Sequence, residues 1–197
     1  MKALEMTVKQ ARALVSIAPK NDVRYYMNGV WADFEKCRFV ATNGHMLLDT
    51  PARGTPPDVC AGSTIIPRDA LDSIAKGGKT DDQIEIAYDH QTGLIKLTRQ
   101  TGMAMTVSEV DGRYPDVDRV IPGYVSNEIA QYNADYLATC QKAIRLCCGS
   151  NNLHPHMAHN GTSAGIMSAA ESDTYAVIMP VRASERADWI NDKSKAA

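Results

Sequence analysis

The sequence lacks a dominant charge. Its 21 Lys and Arg stand against 23 Asp and Glu, a net charge of −2, which excludes a protein that binds nucleic acid by bulk attraction and leaves any such role to local charge. It also lacks any C-x-x-C spacing. The five cysteines, Cys37, Cys60, Cys140, Cys147 and Cys148, are odd in number and sit mostly in apolar stretches, the pattern of free thiols in a reducing compartment. No apolar run reaches the roughly 18 residues of a membrane span. The opening MKALEM has no long apolar core behind its lysine, so neither a span nor a signal peptide is predicted and a cytoplasmic location is expected. No paired-carboxylate or H-E-x-x-H arrangement occurs, which removes two common catalytic devices.

What the chain does have is ordinary globular composition, 44% hydrophobic and 22% charged over 197 residues, enough to bury one large or two small cores. Three segments share one plan, a short strand, a helix, then extended runs split by turn residues. In the first, Ala3 to Met6 leads to Thr7 as N-cap and a helix with Val8, Ala11, Val15 and Ala18 on one face, stopped by Pro19. VRYYMNGVWADF, KCRFVAT and HMLLDT follow as extended runs, with Asn43-Gly44 as the expected two-residue hairpin turn. In the second, a strand at Thr64 to Ile66 meets Pro67 at the first helical position, and IEIAY, LIKLT and AMTVSEV alternate with the period of a half-buried sheet. The third starts near Ser126, with Leu137, Cys140 and Ile144 on a helix closed by Gly149, and ends on TYAVIMPV. Helix starts near 7, 68 and 134 recur at roughly 60-residue intervals, which implies stacked copies of one supersecondary unit.

Charge is uneven between these elements. Over residues 7–18, 68–76 and 134–148, Lys9, Arg12, Arg68, Lys76, Lys142 and Arg145 outnumber Asp69, Asp72 and Asp135 by three, so the rest of the chain carries −5. A near-neutral protein is thus expected to have a positive helical layer and a negative sheet layer. Solvent-facing helix positions usually hold charges in any case, so this surplus alone does not assign a function.

Three motifs imitate catalytic or binding sites. GTSAG at 161–165 fits the hydrolase pattern G-x-S-x-G, but the last histidine, His159, precedes Ser163, whereas that elbow needs its base later in the chain. SIAKGGKT ends like a phosphate loop, yet Ser73 replaces the first glycine and a helix precedes it, so Gly77 and Gly78 read as a helix end. CCGSNNLHPHMAH gathers Cys147, Cys148, His154, His156 and His159, but Pro155 and the irregular spacing favour a polar loop over a metal site. No enzyme, cofactor or metal is expected.

Read together and in order, NDVRYYMNG, VATNGHMLL, TIIPR, EVDGRYPDVDRVIP and TYAVIMPVR resemble the bacterial DNA polymerase III beta subunit, the sliding clamp of replication. The similarity runs from about residue 1 to 182. The resemblance implies an α+β DNA-clamp fold built of repeated β-α-β-β-β units, with helices on one face of antiparallel sheets. It implies a complete clamp domain at 1–122 like that family's middle domain, a half domain at 123–183 like the end of its last domain, and a tail at 184–197 holding Trp189 and Ile190. By the same likeness the chain is a short, phage-encoded processivity factor that encircles double-stranded DNA without reading sequence and tethers a polymerase. The alternative is a clamp-like module that captures replication proteins by its cleft without encircling DNA.

Charge and resemblance together assign Lys9, Arg12, Lys20, Asn21, Arg24, Tyr25, Arg68, Lys142 and Arg145 to the DNA side. A peptide cleft is carried over by position onto Met27, Thr42, Gly44, His45, Leu47, Pro115, Arg119, Val120, Val177, Met179, Pro180, Val181 and Arg182. Two departures stand in it: Met46 where the family usually has arginine, and Asn43 in place of aspartate. Three units against the twelve of a closed ring imply a homo-oligomer, a tetramer being favoured and a dimer allowed, with the odd third unit seeking a partner.

Overall fold

The structure, a computed structural model, describes residues 2–53, 62–150, 153–170 and 172–181. Cys60, Arg182 and the tail with Trp189 and Ile190 lie outside the described residues.

The first unit runs β1 (Lys2–Thr7), α1 (Val8–Ile17), β2 (Gly29–Asp33), β3 (Arg38–Thr42) and β4 (Met46–Pro51). The second runs β5 (Ser63–Pro67), α2 (Arg68–Ala75), β6 (Gln83–Asp89), β7 (Leu94–Arg99) and β8 (Ala104–Ser108). The third has α3 (Ala134–Cys148), β9 (His156–Ala158), β10 (Gly165–Ser168) and β11 (Tyr175–Ile178). Thr7 caps α1 through a reciprocal box with Gln10, a device worth about 1 kcal/mol. Pro67 sits one position earlier than expected, as the N-cap of α2. Gly149 closes α3 in the left-handed conformation at φ 70°, where glycine carries no Cβ penalty.

The first two units exchange their leading strands. β1 precedes α1 but pairs with β6 of the second unit, giving a sheet ordered β1-β6-β7-β8, while β5 precedes α2 but pairs with β2 of the first. Gly29 permits the second exchange, because a Cβ there would meet Ile65 Cγ2 at 2.5 Å and the Ile66 carbonyl oxygen at 2.7 Å. The other sheet, β5-β2-β3-β4-β11-β10-β9, runs unbroken from the first unit into the third through antiparallel β4 and β11. All named strand pairs are antiparallel.

Three sequence expectations are corrected. VRYYMNGVWADF is not one strand: Tyr25–Met27 forms a 3-10 turn and the strand starts only at Gly29. The hairpin turns on Gly44-His45, since the Asn43 N–H donates to the Met46 carbonyl (3.2 Å) and only Gly44 has positive φ, 88°. Asn43 instead folds its side chain over the turn, Oδ1 accepting from the amides of His45 (2.9 Å) and Met46 (3.0 Å). The third unit has no strand ahead of α3: residues 126–133 are irregular and Ile129 is exposed. In the other two units that strand pairs with the opposite unit's sheet, whereas here the segment bonds within its own unit, Asn127 N–H donating to the His159 carbonyl, Gly161 N–H to that of Glu128 and Val181 N–H to that of Gln131.

The main core lies between helices and sheets. α1 packs between α2 and α3 and buries Val8, Ala11, Leu14, Val15 and Ile17 against inward residues such as Leu4, Ile86, Phe39, Leu48 and Ile178. Full burial of each aliphatic side chain contributes about 1.5–3 kcal/mol. A second, smaller core covers the opposite face of the long sheet. There Tyr114 and Val117, from the segment after β8, pack on Val40, Leu47, Ile65 and Val177.

Candidate partner-binding cleft and helical face

On that opposite face, strand register lines up Thr42, Leu47 and Val177 in one row. Around this row lies a cleft of about 290 Å³. Met27, Thr42, Gly44, His45, Leu47, Pro115, Val120, Val177 and Met179 line it, as expected from sequence. Arg119, Pro180 and Val181 do not line it: Arg119 is largely exposed, with Nε 3.9 Å from Asp116. Arg24, Tyr26, Met46, Asp116 and Val117 complete the wall and were absent from the cleft expected from sequence. A signal for Val117 existed, since it stands three residues before Val120 and one helical turn brings such a pair to one side.

Each wall has its own anchor. The hairpin wall is held by His45, whose carbonyl accepts from the Met179 N–H (2.9 Å) and whose ring stacks on Tyr136 of α3. Behind it Cys140 Sγ lies 3.7 Å from Met46 Sδ. The wall formed by residues 114–120 hangs on Tyr114, whose phenol oxygen accepts from the Thr42 N–H (3.1 Å) while its ring stacks on Trp31. Burial drives that phenol's pKa upward, so it stays a neutral hydrogen-bonding group. Arg24, expected on the DNA side, also lines the cleft rim. It donates to Asp22 (2.9 and 2.8 Å) and to the Asn43 carbonyl (3.4 Å), and it holds the Asp22 carboxyl down at about 2.

Beside the cleft floor, on the same face of the sheet, the following rows carry charge. Arg38 donates to Asp33 (3.1 Å), Asp49 (2.8 Å) and Asp118 (2.9 Å), and its guanidinium lies 5.4 Å from the Trp31 ring centre. Tyr175 of β11 donates to Asp49 (3.0 Å), and Lys36 donates to Asp118 (2.7 Å). Burial raises the Asp49 pKa against the pull of Arg38, whereas Lys36 and then Arg38 lower that of Asp118.

The helical face presents Lys9, Arg12 and Ser16 of α1 beside Ala138, Lys142 and Arg145 of α3. Lys9 pairs with Asp81 at 3.0 Å. Arg12 donates to the carbonyls of Ala75 and Gly78, Arg68 to that of Ala18, and Arg145 to that of Leu153. Carbonyl partners orient the Arg12 and Arg145 guanidinium groups without cancelling their charge, whereas Arg68 also pairs with Asp69 at 3.2 Å. The exposed side of α2 carries Asp69 and Asp72 with Lys76, so the positive stripe belongs to α1 and α3. Lys20, Asn21 and Tyr25 are exposed on the loop after α1. On the outer side of the four-stranded sheet, Glu5 stands directly opposite Glu85.

The imitative motifs are placed elsewhere. Ser163 sits in the turn entering β10 rather than in a strand-to-helix elbow. His154 lies 3.4 Å from Arg145, and His159 packs on Tyr132. Among the described residues no three His, Cys, Asp or Glu gather as a metal site, and no helix is long and apolar enough to cross a membrane.

Comparison with known proteins bears on this geometry. No protein-family model matches the chain. It is 33% identical to the beta sliding clamp of Salmonella typhimurium over 109 residues, which is 51% of this chain and 27% of that protein. It is 35% identical to the beta sliding clamp of Proteus mirabilis over 104 residues, 51% of this chain and 28% of that one. The matched stretches thus span under a third of these relatives. The solved DNA polymerase sliding clamp of Pseudomonas aeruginosa superposes on 92% of this chain and 66% of its own, with TM-score 0.72 and 19% identity. A P. aeruginosa clamp solved bound to griselimycin superposes on 91% of this chain and 65% of its own, with TM-score 0.63 and 20% identity. The fold is that of the sliding clamps.

Proposed function

We propose that this chain, a homologue of the beta sliding clamps over about half its length, is a compact processivity clamp. It holds duplex DNA against its helical face and tethers a polymerase or another replication protein through the cleft. The observation that carries this reading is the placement of α1 and α3 side by side on one face, with Lys9, Arg12, Lys142 and Arg145 on them, while the cleft opens on the opposite face. A clamp must retain phosphates without reading bases, and diffuse positive charge on a helical layer does that. The division into a clamp domain at 1–122, a half domain at 123–183 and a tail at 184–197 belongs to the same proposal.

Ring closure needs other copies. Among the described residues the outer edges of β8 and β9 pair with nothing, and unpaired edges invite strand addition. Three units per chain reach the family's twelve with four chains, so a homotetramer in which half domains complete one another is the proposed assembly. Native mass measurement with and without DNA tests it, since a monomer at micromolar concentration in both conditions would remove the ring.

DNA holding is tested by titrating duplex at rising salt. Affinity is expected to fall steeply, with a log–log slope of about 0.9 per phosphate contact, and to drop when Lys9, Arg12, Lys142 and Arg145 are neutralised together. A salt-independent affinity would leave only the cleft-bound module. Griselimycin is expected to bind at the cleft, and Val177→Asp to abolish that binding.

A further inference from the structure

We infer that Arg38, which lines no part of the cleft, is its positioning residue: through Asp118 it fixes the 114–120 wall against the sheet and so keeps the cleft formed. The inference rests on the cleft proposed above as the partner site. Its basis is the connectivity of one guanidinium. Arg38 uses separate nitrogens for Asp33 of β2, Asp49 of β4 and Asp118 in the segment after β8. Asp49 in turn holds Tyr175 of β11. Of the parts so joined, β3 and β4 with their hairpin, the 114–120 segment and β11 carry the cleft.

The 114–120 segment has few other ties. Tyr114 anchors its start, but Pro115 lacks an N–H, and Asp116, Asp118, Arg119 and Val120 are exposed. Val117 is its one buried side chain after Tyr114. A single 3-10 turn is too short to hold its own shape. Asp118, inside that turn between Val117 and Val120, is therefore the point at which the wall is clamped.

Arg38 and its two sheet partners are almost fully buried, with side-chain exposures of 10%, 7% and 6%, whereas Asp118 is 45% exposed. Removing Arg38 would leave two buried carboxylates uncompensated, which endangers folding itself. Removing the charge of Asp118 leaves Arg38 paired with Asp33 and Asp49 and releases the wall together with the exposed Lys36. Asp118→Asn thus separates positioning from stability. A cleft formed only a tenth of the time binds about tenfold more weakly.

The test uses the full chain as wild type, Asp118→Asn and Lys36→Met, with griselimycin titrated by calorimetry and amide exchange followed over 113–121. Asp118→Asn is expected to weaken binding about tenfold and to speed exchange in 113–121 alone, with the urea midpoint close to wild type. Lys36→Met, which breaks only an exposed pair, is expected to bind as wild type does. Full affinity with unchanged exchange in Asp118→Asn would overturn the inference, as would an equal loss in Lys36→Met. Failure of the wild type to bind griselimycin would count against the cleft function instead. The exchange pattern of Asp118→Asn would then decide the role of Arg38 alone.

Discussion

The imidazole of His45 lies stacked on the ring of Tyr136, centroids 5.6 Å apart and planes 16° from parallel. One residue belongs to the hairpin that rims the cleft, the other to the first turns of α3 on the opposite side of the sheet. The stack and the backbone bond from Met179 to His45 join the first unit to the third at the cleft edge. A double-mutant cycle with His45→Ala and Tyr136→Ala is expected to give a coupling of about 0.5–1.5 kcal/mol in urea unfolding. Strict additivity would mean that the rings touch without stabilising the junction.

Tyr114→Phe keeps the ring on Trp31 but removes the oxygen that accepts from the Thr42 N–H. A buried donor left without its partner costs about 1–3 kcal/mol. The expected result is a lower urea midpoint with an unchanged slope. A midpoint equal to wild type would show that another acceptor replaces the phenol.

Stability should fall in alkali. Burial raises the pKa of Tyr114, and burial together with the Asp49 carboxylate raises that of Tyr175, above the ordinary 10.0. Burial pushes the Cys140 and Cys147 thiols up to about 12 from 9.0. Above the ordinary values the unfolded chain loses these protons while the folded chain keeps them, so the folded state binds more protons and stability declines as pH rises. The contribution is intact below about pH 7.5, where thiols and phenols are protonated in both states. Urea midpoints between pH 7 and 11 should decline, and Tyr175→Phe should decline less steeply. Identical slopes would mean that Tyr175 ionises equally in both states.

Glu85→Gln should stabilise the four-stranded sheet. Glu5 and Glu85 are cross-strand partners on its outer side, and relief of like charges placed opposite each other is worth about 0.2–1 kcal/mol. The thermal midpoint is expected to rise, more at low salt than at high salt. A lower midpoint would contradict this view of the pair.

Much of the fold could be read locally. α3 occupies the expected 134–148, and β6 and β7 alternate inward Ile84, Ile86, Ile95 and Leu97 with outward Glu85 and Lys96. One of the errors has a local cause. The hairpin shifted by one residue because the Asn43 side chain, not its backbone, builds the turn. The strand expected before α3 gives way to an irregular segment whose backbone bonds to His159, Gly161 and Val181 of its own unit, an outcome set by tertiary neighbours and not by local pattern.

What the sequence by itself determined is the order of the units, the caps of α1 and α3 and the apolar period that turns each element toward a core, because these depend on neighbours a few residues apart. Only the tertiary structure decided which charges meet. Asp33, Asp49 and Asp118 converge on Arg38 from three separate elements. Arg12 and Arg68 each hold carbonyls at the end of the other's helix. No spacing along the chain encodes such meetings, since strand register and helix packing bring distant residues within hydrogen-bonding range.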